Sequence, residues 1–283
     1  MARAMSKACR QGSGMARAIS KACRPPLPPC YPRPAMRRRT PHAIQVELAQ
    51  KRLLARLAGL DHAAIVRVLG PFLTPERKAR FDAVFSSRLG SVTVLMDAPY
   101  DPHNGAAVLR SCDAFGVQRL HVVERGGISF LAARQVARGS EQWVHVRTYP
   151  TSHAALDVLA ASGHELVATH PQGELLPEDL RSIPKLCLVL GNERDGIHEE
   201  LVAACKRSVR VPMRGFVESL NVSVTAAILL QHATSSRPGD LPEDEQRALQ
   251  ARAMILTIDH AAEILLANGI SLGEDALAVE EAG

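Results

Sequence analysis

The stretch LCLVLGNERDGI, residues 186–197, sets the pattern by which the chain is read. Five apolar residues form a run of strand length, and they stop at a glycine-rich, charged turn. Similar β-rich runs recur on both sides: SVTVLM at 91, RLHVV at 119, WVHV at 143, ELVAT at 165 and SVRV at 208. Helical spacing fills the intervals, over roughly 104–114, 131–138, 151–162, 197–205 and 219–233. Short strands alternating with helices predict an α/β fold with a mainly parallel sheet.

Outside this block the pattern changes. From Ile44 to Leu69 apolar residues recur at helical spacing, and Thr74-Pro75-Glu76 is a strong helix start with proline at the first helical position. SSRPGDLP, 235–242, breaks the chain before one long helical pattern from Glu243 to Asn268, and GEDALAVEEAG reads as a solvated acidic tail. At the other end MARAMSKACR, 1–10, returns as MARAISKACR, 15–24, followed by proline-rich sequence. One tandem copy cannot stack into a repeat fold, so a disordered basic tail is expected, with the working protein beginning at Met15, Met36 or later. An intact mass that includes Met1 would overturn that start.

The 283 residues have room for one sizeable domain with appendages. No apolar run approaches the roughly 18 to 20 residues that cross a membrane, so a cytoplasmic protein with no membrane partner is expected. The six cysteines show no CxxC pair and read as free thiols. The net charge of +5 suggests nucleic acid until it is divided: ten of the 34 basic residues and no acid lie in residues 1–40, leaving 24 bases against 29 acids. Any nucleic acid bound by the folded part must therefore meet a local basic patch.

In open α/β sheets ligands sit beyond the carboxyl ends of the strands. The residues there are unusually polar: APYDPHNGAAVLR after the first run, Thr169-His170 after the fourth, GNERDG after the fifth, Pro212-Met213-Arg214-Gly215 after the sixth, then ESLNVS before an apolar helix. Asn104 and Arg110, six apart, lie broadly on one side of a helix about 9 Å apart by rise. They read either as a cap and a surface arginine or as a pair around an anionic substrate, where arginine supplies a permanent forked donor. GNERDG is neither a dinucleotide fingerprint nor a P-loop. No GxSxG elbow makes Ser219 or Ser223 a nucleophile, and no zinc spacing is present, so no metal is expected.

Taken in order, DPHNGAAVLRSCDAFGV, GSEQW, LVATH, LVLGNERDGI, VRVPMRG and ESLNVSV resemble the motifs of the SPOUT superfamily of methyltransferases, in its TrmH-type branch that methylates tRNA ribose 2′-oxygens. The resemblance runs from about Arg77 to about Gly269. It implies a SPOUT-type α/β knot, a mainly parallel sheet whose C-terminal part forms a deep trefoil knot, with helical N- and C-terminal extensions. The expected division is a tail at 1–43, a helical extension at 44–88, the methyltransferase domain at 89–234 and a C-terminal helical extension with acidic tail at 235–283.

The resemblance also implies chemistry. S-adenosyl-L-methionine would lie among the loops Gly191–Gly196, Val211–Gly215 and Ser219–Ser223, touching Thr169, Gly191, Val211 and Leu220, while Val222, Ala226 and Leu229 anchor the helix beneath. Asn104, Arg110, Glu193, Ser219 and Asn221 would take the catalytic roles, and Arg77, Arg80, Arg88 and His103 would contact RNA. The implied reaction is 2′-O-methylation of the D-loop guanosine (guanosine-18) of tRNA by a homodimer, with no DNA partner. A ribosomal RNA ribose 2′-O-methyltransferase and a non-catalytic RNA-binding protein of the same fold are the alternatives. The first is disfavoured by the helical 44–88 region and the helix beyond LPEDEQRALQ, the second by the intact site residues.

Overall fold

This computed structural model describes residues 56–125, 130 and 139–270. The tail at 1–43, the first part of the Ile44–Leu69 pattern, the helix expected at 131–138 and the acidic run from Gly273 lie outside the described residues.

Six parallel strands make one sheet: β1 (Leu89–Asp97), β2 (Val117–Val123), β3 (His145–Tyr149), β4 (Glu165–Thr169), β5 (Leu186–Leu190) and β6 (Arg207–Val209). Their spatial order is β3-β2-β1-β5-β4-β6. The central pair is in register from Val92 opposite Leu186 to Met96 opposite Leu190. Parallel strands buried on both faces read as continuous apolar runs, and β5 is buried at all five positions. That is why the expected bounds for ELVAT and LCLVL agree with β4 and β5, whereas β3 starts two residues later than WVHV.

Side chains alternate between two helical layers. Val92, Val94 and Met96 of β1 and Leu186, Leu188 and Leu190 of β5 face a core shared with α3 (Pro102–Ala114) and α6 (Val222–Thr234), numbered in chain order after α1 (His62–Leu69) and α2 (Pro75–Ser86). Leu95, Cys187 and Val189 face the other way, onto α4 (Ser152–Ser162) and Leu201 of α5 (Glu199–Ala204). Cys112, Cys187 and Cys205 are free thiols, as expected. Burial pushes the Cys205 thiol up to about 11 and Cys112 up to about 12, the latter aided by Asp113.

The helices beyond the sheet depart from the sequence pattern in two places. The Ile44–Leu69 pattern contains a break: a one-turn 3-10 helix at Leu57–Gly59 precedes α1, and Asp61 starts α1 by accepting from the amides of Ala63 and Ala64. The long C-terminal pattern is two helices, α7 (Glu243–Thr257) and α8 (Ala261–Ala267). Ile258 is extended and His260 is left-handed at φ 60°, so no helix continues through them. Ile65 and Leu69 of α1 share a core with Met254 and Ile255 of α7 and with Leu265 of α8.

Arg88 corrects an expectation. It was grouped with RNA-contacting arginines, yet it is 2% exposed and donates through Nη2 to Asp113 Oδ1 at 2.5 Å. The segment after α6 crosses over it: the amides of Asp240 and Leu241 both donate to the Arg88 carbonyl. Arg77 and Arg80 stay exposed on α2, and Thr74 caps that helix through the Arg77 amide as the sequence predicts.

No helix among the described residues is long and apolar enough to cross a membrane.

Candidate active site

The carboxyl ends of β4, β5 and β6 open into a cavity of about 620 Å³. Thr169, Gly191, Val211 and Leu220, the four residues expected to touch a cofactor, all line it, as does Ser219. Each arrives from a different strand end or loop. Thr169 ends β4 and donates its hydroxyl to the Val189 carbonyl at 3.1 Å, which fixes the rotamer. Gly191 is required by a close approach: a Cβ there would stand 2.4 Å from the carbonyl carbon of Gly196 and 2.7 Å from the amide of Ile197. Only a glycine lets the chain leaving β5 pass against its own return.

That return is itself built locally. Asn192 Oδ1 accepts from the amides of Arg194 (2.9 Å) and Asp195 (2.8 Å), while its own amide donates to Gly196 O at 3.0 Å. An Asn side chain substituting for backbone in this way forms an Asx turn. The loop is anchored further on by Asp97 at the end of β1, 1% exposed, whose Oδ2 accepts from the His198 amide at 2.7 Å. Arg125 stands 3.0 Å from the other oxygen.

At the mouth, three expected catalytic residues are linked. Asn104 Nδ2 donates to Glu193 Oε1 at 2.5 Å, and Asn104 Oδ1 accepts from Asn221 Nδ2 at 3.0 Å. Asn221 Oδ1 accepts in turn from the amide and hydroxyl of Ser223, at 2.8 and 2.6 Å, which caps α6. The polar start of the apolar helix α6 therefore does two things: one Asn oxygen caps, and its amide nitrogen reaches α3. Residues 219–221, expected inside this helix, precede it, because the cap must sit outside. Beneath, Ala226 and Leu229 are fully buried.

Arg110 is not brought into this cluster. It is exposed on α3, and its guanidinium makes no hydrogen bond or ion pair with the described residues. His103, one residue before Asn104, is exposed too. Two residues that the sequence did not single out stand at the cluster: the Tyr100 amide donates to Glu193 Oε2 at 3.3 Å, and the Arg194 guanidinium lies 3.5 Å from the Tyr100 ring centroid. An exposed aromatic in APYDPHN, beside a motif already suspect, was the available signal.

A family model, the SpoU rRNA Methylase family, matches residues 91–231, the span from β1 to the last turn of α6. A tRNA (guanosine(18)-2'-O)-methyltransferase of Escherichia coli is 34% identical over 189 residues, which cover 62% of this chain and 81% of that protein. This chain belongs to the SpoU methylase family. Another relative of the same description, from Thermus thermophilus, is 35% identical over 171 residues, covering 58% of this chain and 84% of the relative. A solved structure, the TrmH/SpoU tRNA modifying enzyme of A. aeolicus, superposes with a TM-score of 0.57 at 28% identity over 65% of this chain and 98% of its own.

Proposed function

We propose that this SpoU-family protein transfers the methyl group of S-adenosylmethionine to the ribose 2′-oxygen of guanosine 18 in the D-loop of tRNA. The linked trio Asn104, Glu193 and Asn221 at the rim of the cavity carries this reading, because it joins the expected catalytic motifs across 89 and 117 positions of sequence. The relatives named above support the substrate, both being described as tRNA (guanosine(18)-2'-O)-methyltransferases.

The cavity suits the cofactor chemically. Its volume is that of a small-molecule site. Its lining holds no lysine or arginine, which fits a ligand without phosphate, and it presents Asp195 and Glu218 to a cation. Ile197, Val209, Val211, Met213 and Leu220 offer apolar walls, and the close-packed Gly191 turn brings backbone amides and carbonyls within reach of a planar heterocycle. When bound there, S-adenosylmethionine supplies a methyl group already activated on a sulfonium.

The protein's own task is then alignment and proton removal. Asn104 holds both Asn221 and Glu193 in place, and Ser219, near Asn221 in sequence, lines the cavity. Arg110 supplies a planar, forked set of donors. It orients the 2′-hydroxyl and the neighbouring phosphate, which takes the hydroxyl proton. Arg77, Arg80 and His103 contact phosphates without reading bases.

The finer architecture belongs to the same proposal: a trefoil knot formed by the chain from β4 to α6, a methyltransferase domain at 89–234 between helical extensions, and a cytoplasmic homodimer. Phe216, fully exposed, and Val217 lie on the loop bordering the cavity, which suits cover by a second copy.

The test is methyl transfer from labelled S-adenosylmethionine to unmodified tRNA transcripts, with the modified nucleotide mapped and ribosomal RNA assayed beside them. 2′-O-methylguanosine at position 18, lost in Arg110→Ala, is the expected result. Transfer to ribosomal RNA alone would overturn the substrate, and near-native turnover by Arg110→Lys would overturn the role given to the guanidinium fork.

A further inference from the structure

The opposite edge of the sheet carries a second cavity, of about 500 Å³, among the amino ends of the strands. The strands are all parallel, so this cavity and the one at their carboxyl ends are separated by the length of the sheet. Its floor is a cross-strand ladder of basic groups: on β2 and β3, Arg119 stands opposite His145 and His121 opposite Arg147. Residues two apart on a strand share a face, so all four project from the side that carries α4. Interior strands of a parallel sheet are normally apolar on both faces, so Arg119 and His121 on the interior strand β2 depart from that rule, and the edge strand β3 sets His145 and Arg147 beside them. His164 and Lys185, at the starts of β4 and β5, extend the basic lining across the sheet.

Most of these charges lack a counter-ion. Glu245 takes Arg119, both carboxylate oxygens at 2.5 Å from Nη2. Asp240, the other acid at the rim, is already engaged through Oδ1 by the amides of Gly90 and Ser91. Arg147 and Lys185 have no carboxylate partner among the described residues. Arg147 lies over the Tyr149 ring at 5.2 Å, and Lys185 Nζ donates to the Ser162 carbonyl at 3.2 Å. No three His, Cys, Asp or Glu side chains among the described residues converge as a metal ion would require.

We propose that this amino-end cavity binds a ligand carrying more than one phosphate group, with Arg147 holding one end and Lys185 the other. β3 and β5 are separated by two strands, a span on the order of 14 Å, so two flexible cations at the ends suit linked phosphates better than a single small anion. The volume is that of a nucleotide site. Burial, then the neighbouring His164, Arg147 and Arg119, hold His121 neutral, with its pKa lowered to about 4. An entering polyanion is therefore met by Arg147 and Lys185, with the imidazoles of His121 and His145 as further donors.

Linked phosphates can come from a free nucleoside polyphosphate or from consecutive phosphodiesters of RNA. Pyrophosphate is the probe for their shared chemistry, titrated into the full-length protein while the side-chain resonances of His121, His145 and His164 are followed by NMR. A saturable shift is expected, with affinity falling at least tenfold in the Arg147→Ala, Lys185→Ala double variant and less in each single variant. Both positions are exposed, so unfolding midpoints and S-adenosylmethionine affinity should match the parent and separate lost contacts from lost fold. Displacement of pyrophosphate by tRNA assigns the site to the RNA backbone, and retention assigns it to a free phosphorylated compound; both uphold the site. Absence of a saturable shift, or equal affinity in the double variant, overturns it.

Discussion

Asn104 is a hub because an amide side chain both donates and accepts: one end meets a carboxylate, the other an amide nitrogen. A hydrogen bond to a charged group is worth about 1.5 to 3 kcal/mol, so Asn104→Ala should slow single-turnover methyl transfer by roughly 10- to 100-fold. Asn104→Asp should be slower still, since it sets a carboxylate against Glu193. S-adenosylmethionine affinity, measured calorimetrically, should stay near the parent value in both, and equal losses in binding would instead place Asn104 in the cavity wall. Gly191 predicts the complement. Its Cβ would collide with backbone, which cannot swing away, so Gly191→Ala should cost about 1 to 3 kcal/mol of stability and weaken cofactor binding together. A thermal midpoint and cofactor affinity both unchanged would contradict that geometry. The sequence made Asn104, Glu193 and Asn221 individually visible, the first read as a cap, although Asp101 caps α3 and Asn104 lies inside it, the others as a turn residue and a helix start. Their mutual hydrogen bonds were not visible, because contacts at such separations follow from topology. Arg88 was misread for the same reason: the letters show its charge, and only the fold supplies Asp113 beside it.

At the level of elements, the strands were legible where burial is two-sided. β5 is apolar at all five positions and β4 is buried at its three central ones, Leu166, Val167 and Ala168, so both match their sequence runs. The helices at the two ends were harder, since helical periodicity persists across a break of three or four residues. Asp61 and His260 stop it by local backbone conformation, one as a cap and one at positive φ, without disturbing the apolar spacing around them. What joins these helices is a core between α1 and α7 far apart in sequence, with Ile65, Leu69 and Ile255 fully buried. Ile255→Ala should therefore cost about 2 to 5 kcal/mol, read as a lower urea midpoint at unchanged slope. Methyl-donor affinity at the remote cavity should hold. A loss below about 1 kcal/mol would mean that the α1–α7 layer contributes little to global stability.

Across the whole molecule, charge decides two further outcomes. The body carries fewer bases than acids once residues 1–40 are set aside, so RNA affinity must come from local groups such as Arg77 and Arg80 on α2. Replacing both with Ala should lower the magnitude of the log affinity against log salt slope by about 1 to 2, and an unchanged slope would remove α2 from the RNA face. The second outcome concerns acid. His121 is 6% exposed, hydrogen-bonded through Nδ1 to the Tyr149 hydroxyl at 2.7 Å, and held near a pKa of about 4 against the ordinary 6.5. Above about pH 6.5 the imidazole is neutral in both folded and unfolded chains and contributes no pH dependence. As pH falls toward about 4, the unfolded chain takes up a proton that the folded chain refuses, so folding stability declines through that window. A shift of this size corresponds to a loss on the order of 3 kcal/mol, complete only below the folded value. His164, lowered by burial in the same direction, adds to it. Urea midpoints at about pH 7 and about pH 5 should therefore differ clearly in the parent and less in His121→Gln, which keeps a polar partner for Tyr149 but cannot titrate. An equal fall in both would move the acid sensitivity to other groups and leave His121 without a part in it.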